Sequence, residues 1–198
     1  DLSSVINSEI SFIQYKFNNG NVSSDSIATN IFNGYGLFDV ELTATTGDGC
    51  ESTITKQTEV FANPIVDFSV LGLCEGDQTI FNTFSSVVVA NILDYNWTFG
   101  LDRFASDKNT SHIFSSNGVH NVSLAITSDQ GCASEISKNI SIHKLPSANF
   151  EVLSDICLGD EVEISYLPDG SGKNIVEWNY AFGDNNTSVE TNPIHTYG

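Results

Sequence analysis

Methionine is absent from this 198-residue chain, and lysine and arginine together number only seven. Against 25 aspartates and glutamates this leaves a formal net charge of −18. Without clustered cations, binding to nucleic-acid phosphates is excluded as a main role, and so is docking on anionic lipid. Long apolar runs are missing too. The longest candidate, VVVANIL at residues 87–93, falls far short of the ~18 residues a membrane-spanning helix needs. Only 16 % of residues are charged, and Ser, Thr and Asn carry the remaining polarity. That mixture disfavours long solvated helices and suits short strands and turns. No Gly-x-Ser-x-Gly elbow, phosphate loop, EF-hand loop or Cys-His nucleophile pattern occurs, so the commonest reaction centres have no foothold. Neither an initiator Met nor a signal peptide stands at the front, and Asp1 is expected to be an internal position of a longer chain.

What is present is a repeat. About 40 % of residues are apolar and 11 % aromatic, enough for packed cores in one or two domains by length. The segments IQYKFNNG (residues 13–20), YNWTFGLD (95–102) and WNYAFGDN (178–185) align on Phe17, Phe99 and Phe182, spaced by 82 and 83 residues. The cysteines keep the same step, Cys50 to Cys132 by 82 and Cys74 to Cys157 by 83. Pro64 and Pro146, Gly36 and Gly118, and the series Phe32, Phe114 and Tyr197 follow it as well. Independent markers sharing one period identify a tandem array. Its expected units are residues 1–62, lacking their beginning, 63–144, complete, and 145–198, lacking their end.

Within each unit the pattern has period two. Tyr95, Trp97 and Phe99 alternate with polar residues, as do Trp178, Tyr180 and Phe182, and Tyr15 with Phe17. Alternate strand residues share a face, so these aromatics are expected to form the core. Val122, Leu124 and Ile126 repeat the alternation, matched by Val40, Leu42 and Ala44. The clusters TGDGC (46–50), SSNG (115–118) and SDQGC (128–132) read as turns. Six or seven short strands in about 82 residues predict an all-β chain of two-sheet sandwiches.

The run Trp-x-Phe-Gly, seen as Trp97-Thr98-Phe99-Gly100, and Phe182-Gly183-Asp184-Asn185 followed by Asn192-Pro193-Ile194-His195-Thr196-Tyr197 resemble the PKD (polycystic kidney disease) domain. That resemblance implies tandem immunoglobulin-like sandwiches. The first copy departs with Tyr15 for Trp, the second carries Leu101 where the third has Asp184, and the third has its Trp two residues earlier. The departures keep an aromatic core and do not keep a polar constellation. The added Cys-x-Gly-Asp runs (Cys74 to Asp77, Cys157 to Asp160) and the Gly-Cys turns before Cys50 and Cys132 are similar to PKD-like repeats of very large Bacteroidota surface proteins. Those include gliding-motility adhesins and other cargo of the type IX secretion system.

Asp184 and Asn185 are expected to make an Asx turn, with Gly183 allowing a sharp exit from the strand. The competing reading is weak Ca²⁺ ligation there or at Asp67, Asp77 and Asp160; no other cofactor is expected. His112 and His195, with Asn30 at the same position of the first copy, are expected to bond back to the turn after the aromatic strand. His120 and His143 complete the four histidines, and no metal-ligand spacing links any of them. Tyr197 and Phe114 are expected to pack as corner aromatics. Sequons such as those at Asn96, Asn109 and Asn121 carry no information in so Asn-rich a chain.

Regular cysteines in a secreted-looking repeat point to disulfides, and the pairing stays open. The sequence-local choice is Cys50–Cys74 with Cys132–Cys157, the intradomain choice is Cys74–Cys132, and bonds between successive repeats would take partners outside residues 1–198.

The expected function is non-catalytic: a stalk or spacer segment of a large, secreted cell-surface adhesin serving gliding motility or attachment, its partners being neighbouring repeats and a secretion or motility machine. The alternative is a carbohydrate- or protein-binding accessory module of an extracellular hydrolase, partnered by surface polysaccharide. Outward-facing Trp97 and Trp178 would favour the alternative.

Overall fold

The computed structural model describes residues 9–100, 103–152, 157–168 and 175–198, and every regular element among them is a strand. Leu101 and Asp102 of the second aromatic segment lie outside the described residues.

The chain opens with β1 (Ile10–Phe17), β2 (Val22–Ser23), β3 (Gly36–Thr46) and β4 (Glu51–Val60), in one sheet of order β2-β1-β3-β4. Next come β5 (Phe68–Leu71), β6 (Gln78–Thr83), β7 (Ile92–Thr98), β8 (Phe104–Ala105), β9 (Thr110–Ile113), β10 (Gly118–Ser128) and β11 (Ala133–Ile142). They form two sheets, β5-β6-β9 and β11-β10-β7-β8. The last part holds β12 (Phe150–Val152), β13 (Glu161–Tyr166), β14 (Tyr180–Ala181), β15 (Thr187–Ser188) and β16 (Ile194–Thr196), ordered β12-β13-β16 and β14-β15. Every ladder between these strands is antiparallel.

The copies repeat in register as well as in sequence. Tyr15 faces Leu42 as Trp97 faces Leu124, and Leu42 faces Ile54 as Leu124 faces Ile136. Thr79 faces His112 as Val162 faces His195. The turns recur atom for atom. Thr46 N–H donates to Cys50 O at 2.9 Å and Ser128 N–H to Cys132 O at 2.8 Å, while the Thr46 and Ser128 hydroxyls each accept the cysteine N–H at 3.2 Å. At the Cys-x-Gly-Asp runs, Asp77 N–H donates to Cys74 O at 3.2 Å and Asp160 N–H to Cys157 O at 3.1 Å. The chain is thus an all-β fold of tandem Ig-like sandwiches.

The closed core lies between the two sheets of the second copy. Phe68 and Phe81 come from one sheet and Trp97, Val122, Leu124 and Ile126 from the other, all buried. Trp97 packs edge-on to Phe68 at 5.0 Å between ring centroids and lies 5.6 Å from Phe81. In β10 the residues between the three buried apolar side chains are half-buried, as a pleated strand with one core face requires. The first-copy counterparts Val40, Leu42 and Ala44 are only half-buried.

Two features seal the second copy. Gly72 has φ +76°, and a Cβ there would stand 2.6 Å from the Gln78 carbonyl oxygen. The same tight approach lets the buried Thr79 hydroxyl donate to Gly72 O at 2.6 Å. Lys138, on edge strand β11, reaches to the other sheet: its ammonium sits 2.5 Å from Asp67, donates to Phe68 O at 2.6 Å and lies 4.7 Å from the Phe68 ring centroid. That contact holds Asp67 below the usual carboxylate range, with the Phe68 N–H assisting.

Candidate functional site

In the second and third copies an aromatic strand end lies against a histidine on β9 or β16, and in the first copy Asn30 holds that position outside any strand. In the second copy Phe99 follows β7 and Gly100 turns the chain at φ +91°. β9 carries His112, whose ring stacks on Phe99 at 4.6 Å and 5° and meets Phe114 at 4.6 Å and 78°. In the third copy Gly183 turns at φ +88°, and His195 stacks on Phe182 at 4.2 Å and 4° and meets Tyr197 at 4.5 Å and 85°. In the first copy Phe17 packs edge-on to Phe32 at 6.2 Å, and Asn30 takes the histidine position.

The polar groups of these centres hold turns together. Asp184 accepts from Asn186 N–H at 3.1 Å and the Asn186 amide at 2.9 Å, and pairs with His195 Nε2 at 2.8 Å. Burial pushes the Asp184 pKa up, but the hydrogen bonds from Asn186 and His195 outweigh it and hold the group below its ordinary value. Asn19 builds the corresponding Asx turn in the first copy, accepting Asn21 N–H at 3.2 Å, and Asn30 accepts the Asn21 amide at 2.7 Å. Asn thus performs there the turn-bridging task of His195. His112 acts through stacking; burial lowers its pKa, and the nearby Arg103 and His120 lower it further. His120 Nε2 lies 2.8 Å from Ser116 O.

Among the described residues no group of three or more His, Cys, Asp or Glu is placed to hold a metal ion. The acids considered for Ca²⁺ are dispersed: Asp67 is held by Lys138, Asp160 accepts Cys157 N–H at 3.1 Å, and Asp184 is engaged by Asn186 and His195. Asp77 donates its N–H within the turn at Cys74. Cys50, Cys74 and Cys157 are exposed thiols and Cys132 is half-buried.

The eight aromatics Tyr15, Phe17, Trp97, Phe99, Trp178, Tyr180, Phe182 and Tyr197 fall into three groups. Trp97, Phe99 and Phe17 are buried. Trp97 also donates its indole N–H to Asp107 O at 2.9 Å, so it faces inward with its polar edge satisfied. Tyr15, Trp178, Tyr180 and Phe182 are half-buried. Tyr197 is 39 % exposed and donates its hydroxyl to Phe182 O at 2.9 Å, bracing the strand end from outside the core. Trp178 precedes the short strand β14 and, with Phe150, Val162, Ile164 and Tyr180, lines an apolar cleft of about 640 Å³. β12 to β16 are the counterparts of β5 to β9, and Gly198 is the position of Ser115 one repeat on, ahead of where strands of the β10 and β11 kind cover the matching face in the second copy.

Sequence reasoning missed the amide caps. Asn109 Oδ1 accepts Thr83 N–H at 3.0 Å, and Asn192 Oδ1 accepts Tyr166 N–H at 2.9 Å, the same bond one repeat on. The shared 83-residue step of both partners was the available signal. Lys138 and Gly72 carried none.

Residues 61–142 match the PKD domain family. Among solved structures, the PKD1 domain of Vibrio anguillarum Epp is similar at 20% identity over 43% of this chain and 100% of that one, with a TM-score of 0.40. The PKD1 domain from the Vibrio cholerae metalloprotease PrtV is similar at 23% identity over 41% of this chain and 98% of that one, with a TM-score of 0.38. Three N-terminal domains of the highly immunogenic outer capsid protein of bacteriophage RB49 align at 16% identity over 96% of this chain and 72% of that one, with a TM-score of 0.35. With that match and its repeated strand registers, the chain carries a PKD-type, Ig-like β-sandwich fold in tandem.

Proposed function

We propose that the chain is a non-catalytic spacer: serial PKD-type units, with 63–144 as the complete one, that set the separation of other parts of a larger extracellular protein. One observation carries the reading. Trp97, the most prominent aromatic of the complete unit, is wholly buried with its N–H bonded to Asp107 O, which leaves no flat aromatic strip there to grip a ligand. The junction residues Phe61-Ala62-Asn63-Pro64 and His143-Lys144-Leu145-Pro146 are short, and proline limits the conformations of the residue before it. The net charge of −18 keeps neighbouring chains apart.

Two parents suit such a spacer. An accessory module of an extracellular hydrolase comes first, since it asks of this chain nothing beyond a PKD-type unit such as residues 61–142. A stalk in a cell-surface adhesin, exported by the type IX system and used in gliding, also requires a secretion or motility partner, for which no residue speaks.

Inserting a second copy of residues 63–144 after Lys144 and measuring small-angle scattering tests the spacer. β10 has 11 residues, and at about 3.4 Å each a unit is about 37 Å long, so the maximum dimension should grow by about that amount. A dimension that does not grow sinks the spacer. Retention on insoluble polysaccharide, abolished by Trp178→Ala, would replace it with a binding module.

A further inference from the structure

Cys74 and Cys132 sit at opposite ends of the same sandwich. Cys132 immediately precedes β11 (Ala133–Ile142), and Cys74 forms a parallel bridge with His143, which immediately follows that strand. The 10 residues of β11 span about 33 Å, whereas a disulfide needs Cα atoms within about 7 Å. The bond within the unit is therefore out of reach.

Each of these cysteines instead lies on a junction. Cys132 Sγ stands 3.8 Å from Phe61 O, in the linker that leads into the unit. Cys74 is bonded to Glu75, whose N–H donates to His143 O at 2.8 Å in the linker that leads out. Phe61 and His143 are the same position one repeat apart (143 − 61 = 82), the step that also separates Cys50 from Cys132. Superposing the two junctions by that step brings both kinds of cysteine to a single carbonyl. At any linker flanked by two whole units, the Cys-x-Gly-Asp cysteine of the first and the Gly-Cys turn cysteine of the second meet at the linker residue. The recurrence of both turns in two copies each, with the same hydrogen bonds, supports the superposition.

We infer that successive units are joined by a disulfide across each junction, from the Cys74-type residue of one unit to the Cys132-type residue of the next. The bond forms by exchange with a low-molecular-weight or enzyme-borne disulfide. One cysteine thiolate attacks that disulfide and expels a thiolate. The second cysteine then attacks the mixed disulfide and expels the other, so two cysteine thiols are oxidised as one oxidant disulfide is reduced to two thiols. Under this pairing Cys50 and Cys132 look to a preceding unit, and Cys74 and Cys157 to a following one. The inference rests on the serial order of the units and not on the spacer role, so a failed scattering test leaves it standing.

Extending the chain beyond Gly198 with a copy of residues 116–144 tests it, because the addition gives the third copy both missing strands and a turn cysteine. After oxidation with glutathione disulfide, a non-reducing peptide map should contain one crosslink, Cys74 to the copied cysteine. Cys50, the native Cys132 and Cys157 should remain open to alkylation, and Cys74→Ser should abolish the crosslink. A mirror chain, with a copy of residues 63–82 placed before Asp1, should crosslink the copied cysteine to the native Cys132 and gives the answer if the first extension does not fold. A Cys74–Cys132 bond, a bond between the copied turn cysteine and Cys157, or complete alkylation of both folded extensions would overturn the inference.

Discussion

The second and third copies build the same stack of Phe, His and a further aromatic ring, yet they differ sharply in how they hold their tryptophan. His112 and His195 lie on their Phe partners within a few degrees of parallel, although within residues 1–198 only the first has strands of the β10 and β11 kind beside it. Trp97 is wholly buried, whereas Trp178 is half-buried at the wall of a cleft. The stack is local, made by one strand end, its turn and one crossing strand. The tryptophan environment needs β10 and β11. Two levels of order therefore coexist in one repeat, and they can be broken separately.

The largest effect is expected at the closed core. Trp97→Ala should cost the second copy about 3–5 kcal/mol in urea denaturation, whereas Tyr180→Ala, at the equivalent third-copy position, should cost far less. Equal losses would mean that the third copy closes its core by other means. Gly72→Ala comes next: the left-handed φ and the 2.6 Å approach to Gln78 O predict a loss of about 1–3 kcal/mol, read from the thermal midpoint.

The smallest effect is a difference in acid response. Burial, joined by Arg103 and His120, depresses His112, so the unfolded chain takes up that proton first. Its contribution is complete above the ordinary histidine value near pH 6.5 and is lost as pH falls below it, through the lowered folded value. Asp184 is depressed against its own burial by Asn186 and His195. Its contribution is complete above about pH 5 and is lost as pH falls below about 4, through the lowered folded value. Melting midpoints between pH 7.5 and 3 should flatten in the upper window for His112→Asn and in the lower one for Asp184→Asn. Identical profiles for the two variants would erase the distinction.

Much of the architecture was legible because repetition exposes it. The step of 82 to 83 residues located β3 against β10 and β4 against β11 before any pairing was known. Alternation placed Val122, Leu124 and Ile126 on one face, and they are fully buried. Repetition could not say how deeply a residue lies when its covering strands fall outside the register at hand, which is why Trp178, Tyr180 and Tyr197 are less enclosed than Trp97. Long-range polar contacts were invisible for another reason. Asp67 and Lys138 are 71 residues apart and lack a shared motif, and the role of Gly72 depends on a carbonyl beyond the next turn.

The parallel bridge between Cys74 and His143 also has a mechanical meaning. His143 N–H donates to Leu73 O at 2.7 Å and its carbonyl accepts from Glu75, so the outgoing segment runs alongside its neighbour. Tension applied through Lys144 would act on those two bonds before it reaches the ladder between β11 and β10. A filament of such units would resist stretching first at its exits, and each exit would act as a small shock-bearing catch.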